Sequence, residues 1–150
     1  MSRIQQLYEA MILEHNKNPR HYKTVEGHTH YSHGLNPLCG DDYEVFIKVE
    51  DNKIEDIGFT GMGCAISKSS GSLMTDSIKG LSLEDALAKK DLFIDLVTTG
   101  LDKERIEPLG KLKVFEGVQK FPARVKCAAL VWRALEDALK KQTEGVITTE

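Results

Sequence analysis

The stretch DYEVFIKVEDNKIEDIGFT, residues 42–60, carries the clearest structural signal in the chain. Tyr43, Val45, Ile47 and Val49 alternate with Asp42, Glu44, Lys48 and Glu50, the period of a half-buried strand, with Phe46 the one exception. Residues 50–53 form a polar turn, and 54–60 read as the returning strand of a β-hairpin. Outward from the hairpin the period changes. Ser2 and Gln5 have capping-box spacing, and Ile4, Leu7, Tyr8, Met11 and Ile12 recur at helical intervals until Asn18-Pro19. Residues 20–38 read as irregular, with a short strand near 29–32. Beyond the hairpin, 65–80 is a small-residue helix whose Ser69-Ser70-Gly71-Ser72 run has mediocre helix propensity. Ser82 and Asp85 open a further helix that stops at Gly100, and 101–120 is mixed. Pro122 suits the first position of a last helix, along which Cys127, Leu130, Val131, Ala134, Leu135 and Ala138 form one apolar stripe. Residues 142–150 read as a flexible, solvated tail.

The chain has 150 residues, a net charge of −3 and 41% hydrophobic residues, which fits one globular domain over 1–150 with no internal repeat. The near-balanced charge argues against a nucleic-acid partner. No run of eighteen apolar residues points to a membrane span, and the N-terminus lacks a secretory pattern, so a cytoplasmic location is expected. Three cysteines, Cys39, Cys64 and Cys127, form no closed disulfide framework and no C-x-x-C pair.

Each cysteine falls at the boundary of an element. Cys39 occupies a turn before the first hairpin strand, where Gly40 lets its thiolate and the Asp41 carboxylate converge. Cys64 follows the second strand at a helix start, which favours a thiolate. Cys127 lies early in the last helix, with Arg124 and Lys126 nearby to stabilise negative charge. If the fold gathers these elements, Cys39, Asp41, Cys64 and Cys127 make a tetrahedral set suited to zinc or iron, whereas Mg²⁺ and Ca²⁺ prefer oxygen shells. The alternative is three ordinary buried thiols, Cys127 above all, since it lies on the core face of its helix. His28, His30 and His33 suit solvated loop side chains more than ligands, Asp42 a solvated strand face, Lys89-Lys90 an exposed helix face and Trp132 the core.

Three segments, Asn36-Pro37-x-Cys39-Gly40-Asp41, Gly63-Cys64-Ala65-Ile66-Ser67 and Phe121-Pro122-Ala123-Arg124-Val125-Lys126-Cys127-Ala128, resemble the signatures of the SufU/IscU family, relatives of the NifU N-terminal domain. The resemblance runs over nearly the whole chain. Lys126 stands where IscU-type scaffolds carry histidine, and a longer Cys64-to-Cys127 interval, around 96–112, is similar to SufU proteins. Gly71 departs from the alanine expected there. The resemblance implies an α+β fold, a small antiparallel sheet packed with helices, with the metal site at one end. It also implies zinc on Cys39, Asp41, Cys64 and Cys127, and Cys39 as acceptor of persulfide sulfur from a PLP-dependent cysteine desulfurase of the SufS type. Downstream iron–sulfur assembly proteins would follow, making the chain a sulfurtransferase component rather than a stand-alone enzyme. Two alternatives stand beside this: a scaffold for a nascent [2Fe–2S] cluster, with iron in place of zinc, and a zinc-stabilised interaction module.

Overall fold

The computed structural model describes residues 2–140 and 146–149. Helix α1 (Arg3–Lys17) opens with the expected capping box, in which Ser2 and Gln5 each satisfy the other's backbone N–H. Strands β1 (His30–Asn36), β2 (Asp41–Glu50) and β3 (Lys53–Met62) form an antiparallel meander. Helices α2 (Ala65–Ile78), α3 (Leu83–Thr98) and α4 (Lys103–Ile106) follow, then a kinked 3₁₀ run over Glu107–Lys120 and the long α5 (Pro122–Lys140). The inner face of the sheet, Tyr43, Val45, Ile47, Ile57 and Phe59, is fully buried beneath α2 and α5. Phe46, which breaks the hairpin's alternation, lies on the other face and is covered by the rings of His28 and Tyr31, at centroid distances of 5.2 and 5.3 Å. The architecture is α+β. Among the described residues no helix is long and apolar enough to cross a membrane.

The structure departs from the sequence reading at four points. The short strand expected near 29–32 begins there but runs seven residues, as β1, through a stretch read as irregular; its inward residues Ser32, Gly34 and Asn36 are small or polar and leave no hydrophobic alternation to see. The expected tail over 142–150 is in part strand: β4 (Val146–Thr148) pairs in parallel with His33–Leu35, and the sheet order becomes β3-β2-β1-β4. A β-branched Val-Ile-Thr run suits the open edge that β1 otherwise presents, but three residues are too few to show a period. Residues 142–145 and 150 lie outside the described residues. Lys90 is not on an exposed helix face: it is 5% exposed and paired with Asp91 at 2.5 Å and Glu136 at 2.7 Å. Trp132 is in the core as expected, stacked 4.5 Å from Phe93 with its Nε1–H donated to Ser70.

Gly71 is held by packing against the sheet rather than by helix propensity. By helix propensity alone, alanine there would stabilise α2 by about 1 kcal/mol. In the fold, however, a Cβ at Gly71 would stand 2.6 Å from Phe59 Cε2 and 2.9 Å from two further ring atoms. The close packing of α2 on the sheet requires the glycine. Gly71→Ala is therefore expected to destabilise the protein by about 1–3 kcal/mol, the usual range for overpacking. Thermal melting checks this, and an unchanged or raised midpoint would mean the Phe59 ring moves aside without cost.

Candidate metal centre

The site lies at one end of the sheet, where three element boundaries meet. The chain leaves β1 at Asn36, and a tight turn closed by the Cys39 N–H on the Asn36 carbonyl (3.2 Å) reverses it into β2. Gly40 takes φ +73° in this turn, a conformation that side-chain-bearing residues resist. The turn leaves Cys39 exposed and puts Asp41, 1% exposed, at the start of β2. Cys64 caps the N-terminus of α2, its sulfur accepting the Ser67 N–H at 3.4 Å. Cys127 faces inward from the second turn of α5 and is 3% exposed.

The sulfurs of Cys39 and Cys127 and a carboxylate oxygen of Asp41 all lie within 4.8 Å of one another, the one such group among the described residues. Cys64 stands beside this group without joining it, because its thiol is turned onto the helix N-terminus. Asp41 is held firmly. Its Oδ1 accepts the Cys64 N–H at 3.1 Å and the Ser67 hydroxyl at 3.0 Å. With Ser67's single proton given to the carboxylate, the strongest acceptor in reach, the Tyr43 hydroxyl donates to Ser67 Oγ at 3.0 Å. Burial pushes the Tyr43 phenol well above its ordinary value, which keeps it a donor. A Cβ at Gly63 would lie 2.4 Å from Asp41 Oδ1, 2.5 Å from Ser67 Oγ and 2.7 Å from Tyr43 Oη, so this chain of hydrogen bonds exists only because residue 63 has no side chain. Burial also pushes the Cys127 thiol up, and its contacts with Asp41 and Cys39 add to the effect.

Two sulfurs and one carboxylate form a soft, partly anionic donor set that fits zinc or iron and does not fit Mg²⁺ or Ca²⁺. Three converging protein ligands with Cys64 alongside fit a four-coordinate ion. Arg124 is placed outside this group: its guanidinium lies over the Phe121 ring at 4.4 Å, on the wall of a groove of about 600 Å³ between α1 and the start of α5. Lys126 is half-buried, and its carbonyl accepts from Thr149 at 3.4 Å. Neither side chain bonds to a cysteine sulfur. His33 is paired with Asp42 at 2.5 Å and His28 rests on Phe46, so neither enters the group. Asn36, Ser67 and Tyr43, none of them singled out for a role by sequence reasoning, form the layer behind the ligands. Asn36 and Ser67 fall within the quoted motifs; Tyr43 gave no signal beyond its place on a buried strand face.

This arrangement coincides with a known sequence pattern. Residues 7–128 match the NifU-like N-terminal domain. The chain belongs to that family. This NifU-like domain is 39% identical, over its whole length and 93% of the relative, to the iron–sulfur cluster assembly scaffold protein IscU of Streptococcus pyogenes serotype M1. It is 40% identical, over 93% of each chain, to the zinc-dependent sulfurtransferase SufU of Bacillus subtilis. Among solved structures, a SufU of Fervidobacterium islandicum AW-1, described as an iron–sulfur cluster assembly scaffold protein for the SUF system, superposes with a TM-score of 0.80 at 29% identity, covering 90% of this chain and 98% of that one. A NifU-like N-terminal protein of Brucella abortus shares the fold at the same TM-score and 23% identity, covering 95% of this chain and all of its own.

Proposed function

We propose that this iron–sulfur cluster assembly protein of the IscU/SufU type receives sulfur on Cys39 from the persulfide of a PLP-dependent cysteine desulfurase of the SufS type. It then passes that sulfur to downstream assembly proteins in the cytoplasm. The observation that carries the reading is a difference in access: Cys39 is exposed, Cys64 partly buried and Cys127 buried. Sulfur transfer between two proteins needs one thiol that a partner can reach. Leu38, 72% exposed beside Cys39, and Met62, 71% exposed just before Cys64, supply apolar surface around it. The 40% identity to a relative named a zinc-dependent sulfurtransferase supports the same reading.

Cys39, Asp41, Cys64 and Cys127 would hold a zinc ion, with Cys64 turning from its helix cap to complete the set. When bound, zinc keeps the thiols that hold it deprotonated. In the transfer step the Cys39 thiolate attacks the outer sulfur of the desulfurase persulfide. A new S–S bond forms on Cys39, the partner's S–S bond breaks, and its electron pair leaves on the partner's cysteine as thiolate. No external oxidant or reductant is consumed. Asp41 stays fixed by Cys64 N–H and Ser67 throughout. Arg124, exposed beside the groove, would orient an acidic segment of the partner, and Lys126 would favour the anionic form of the attacking Cys39 thiol.

The scaffold reading is favoured by the relative from Streptococcus pyogenes, which bears that name, and by thiolates that suit iron–sulfur clusters as well as zinc. One experiment separates the two. The zinc-loaded protein is incubated anaerobically with iron, cysteine and a desulfurase, and its metal and acid-labile sulfide are measured. Sulfur transfer predicts zinc retained at about one ion per chain, as a closed tetrahedral site would hold it, with no cluster absorption. Zinc replaced by iron and sulfide, in a cluster that moves to an apo-acceptor, would overturn the proposal in favour of the scaffold.

A further inference from the structure

Asn36 is the last residue of β1, pairs in register with Asp41 and is completely buried. Its Nδ2 donates to Asp41 Oδ2 at 3.4 Å and to Cys127 Sγ at 3.7 Å. Its own carbonyl oxygen, Oδ1, has no hydrogen-bond partner. A buried amide oxygen without a partner is destabilising, and a fold under no other constraint would place an apolar residue there. The orientation is dictated by chemistry. Turned over, the amide would set its oxygen against the Asp41 carboxylate, which only accepts hydrogen bonds.

The two contacts complement those already described. Asp41 Oδ1 is occupied by Cys64 N–H and Ser67, so Oδ2 is the oxygen that Asn36 steers. The same amide reaches the sulfur of Cys127, which comes from α5, ninety-one residues away. One side chain thus ties a ligand on the sheet to a ligand on a helix. As either becomes a metal ligand it carries negative charge, and an N–H donor strengthens against a charged acceptor.

We infer that Asn36 is a positioning residue of the metal centre: its amide aims Asp41 and Cys127 at a common point before metal arrives and stabilises the charge they bear once ligated. This rests on the metal-site reading above, and its test is chosen to fail separately. Asn36→Thr and Asn36→Val have the same shape, suit the end of a strand and differ in one hydroxyl donor. Zinc affinity is measured by competition with a chromophoric chelator, alongside the melting midpoint of the metal-free protein and the absorption spectrum of the cobalt-substituted form. Loss of an outer-shell partner typically weakens metal binding 10–100-fold, and that range is expected for Asn36→Val, with Asn36→Thr between it and wild type. Both variants should melt close to wild type without metal, and the thiolate-to-cobalt charge-transfer band should shift in Asn36→Val. Equal zinc affinity in the two variants, or a cobalt spectrum that superposes on wild type, would overturn the assignment and leave Asn36 a packing residue. Should either variant fail to fold, the smaller Asn36→Ser and Asn36→Ala repeat the same comparison. If the wild-type chain itself takes up neither zinc nor cobalt, the metal-site reading fails and this inference falls with it.

Discussion

Cys39→Ser is expected to abolish sulfur uptake while leaving the fold intact. The turn that presents Cys39 is held by backbone: its N–H closes on the Asn36 carbonyl, and Gly40 supplies the positive φ. The side chain is exposed, so exchange of sulfur for oxygen removes no core contact and is expected to shift the stability of the metal-free protein by no more than about 0.5 kcal/mol. The chemistry changes completely. A serine hydroxyl is not ionised at neutral pH and is no nucleophile toward a persulfide, whereas a cysteine can present a thiolate. Intact-mass measurement after incubation with cysteine and the desulfurase should show the gain of one sulfur atom in wild type and none in the variant. Sulfur on the variant at wild-type yield would move the acceptor role to Cys64 or Cys127. The same variant tests the interaction-module alternative, because a module without sulfur chemistry would recruit and stimulate its partner equally well without this thiol.

The parts of the fold that were legible in the sequence are those whose burial leaves a hydrophobic period. The hairpin, the capping box of α1 and the stripe along α5 each have one. β1 does not, because Ser32, Gly34 and Asn36 face inward and are chosen for space and hydrogen bonds rather than for apolar area. Gly71 was opaque for a related reason. Its value is set by a ring on another element, Phe59, which no local propensity can report. Lys90 illustrates the same limit in electrostatics, since its burial depends on Glu136, forty-six residues on.

At the site, the cysteines and Asp41 could be named as candidates from residue type and from their places at element boundaries, and the resemblance joined them into one set. What sequence could not express is the asymmetry among them. Cys39, Asp41 and Cys127 converge, while Cys64 spends its sulfur on capping α2. Nor does spacing reveal that Asp41 is fixed from behind through Ser67 and Tyr43, with room provided by the missing side chain of Gly63. These are consequences of three chain segments meeting, and they emerge only when the segments are docked.

Cys127→Ser is expected to lose metal binding and the stability that metal confers. Cys127 is buried on α5 with Ala128, Leu130 and Val131 around it, and its sulfur is shared by Asn36, Asp41 and Cys39. Burial raises its thiol pKa, so in the metal-free protein it holds its proton at neutral pH, and metal binding must release it. Zinc affinity should therefore rise with pH, and wild-type zinc uptake should be accompanied by measurable proton release. A serine cannot supply a soft anionic ligand at this position. In wild type, free zinc at a hundred times Kd adds about 2.7 kcal/mol of stability, which for a domain of this size is about 5–10 °C in the melting midpoint. In Cys127→Ser that increment should vanish, while the metal-free midpoints of the two proteins stay close. A zinc-dependent rise of wild-type size in the variant would show that the ion sits elsewhere. The contrast with position 39 then separates two kinds of cysteine in one site: the exposed one is required for transfer as well as for the ligand set and is dispensable for the metal-free fold, and the buried one serves the ion alone.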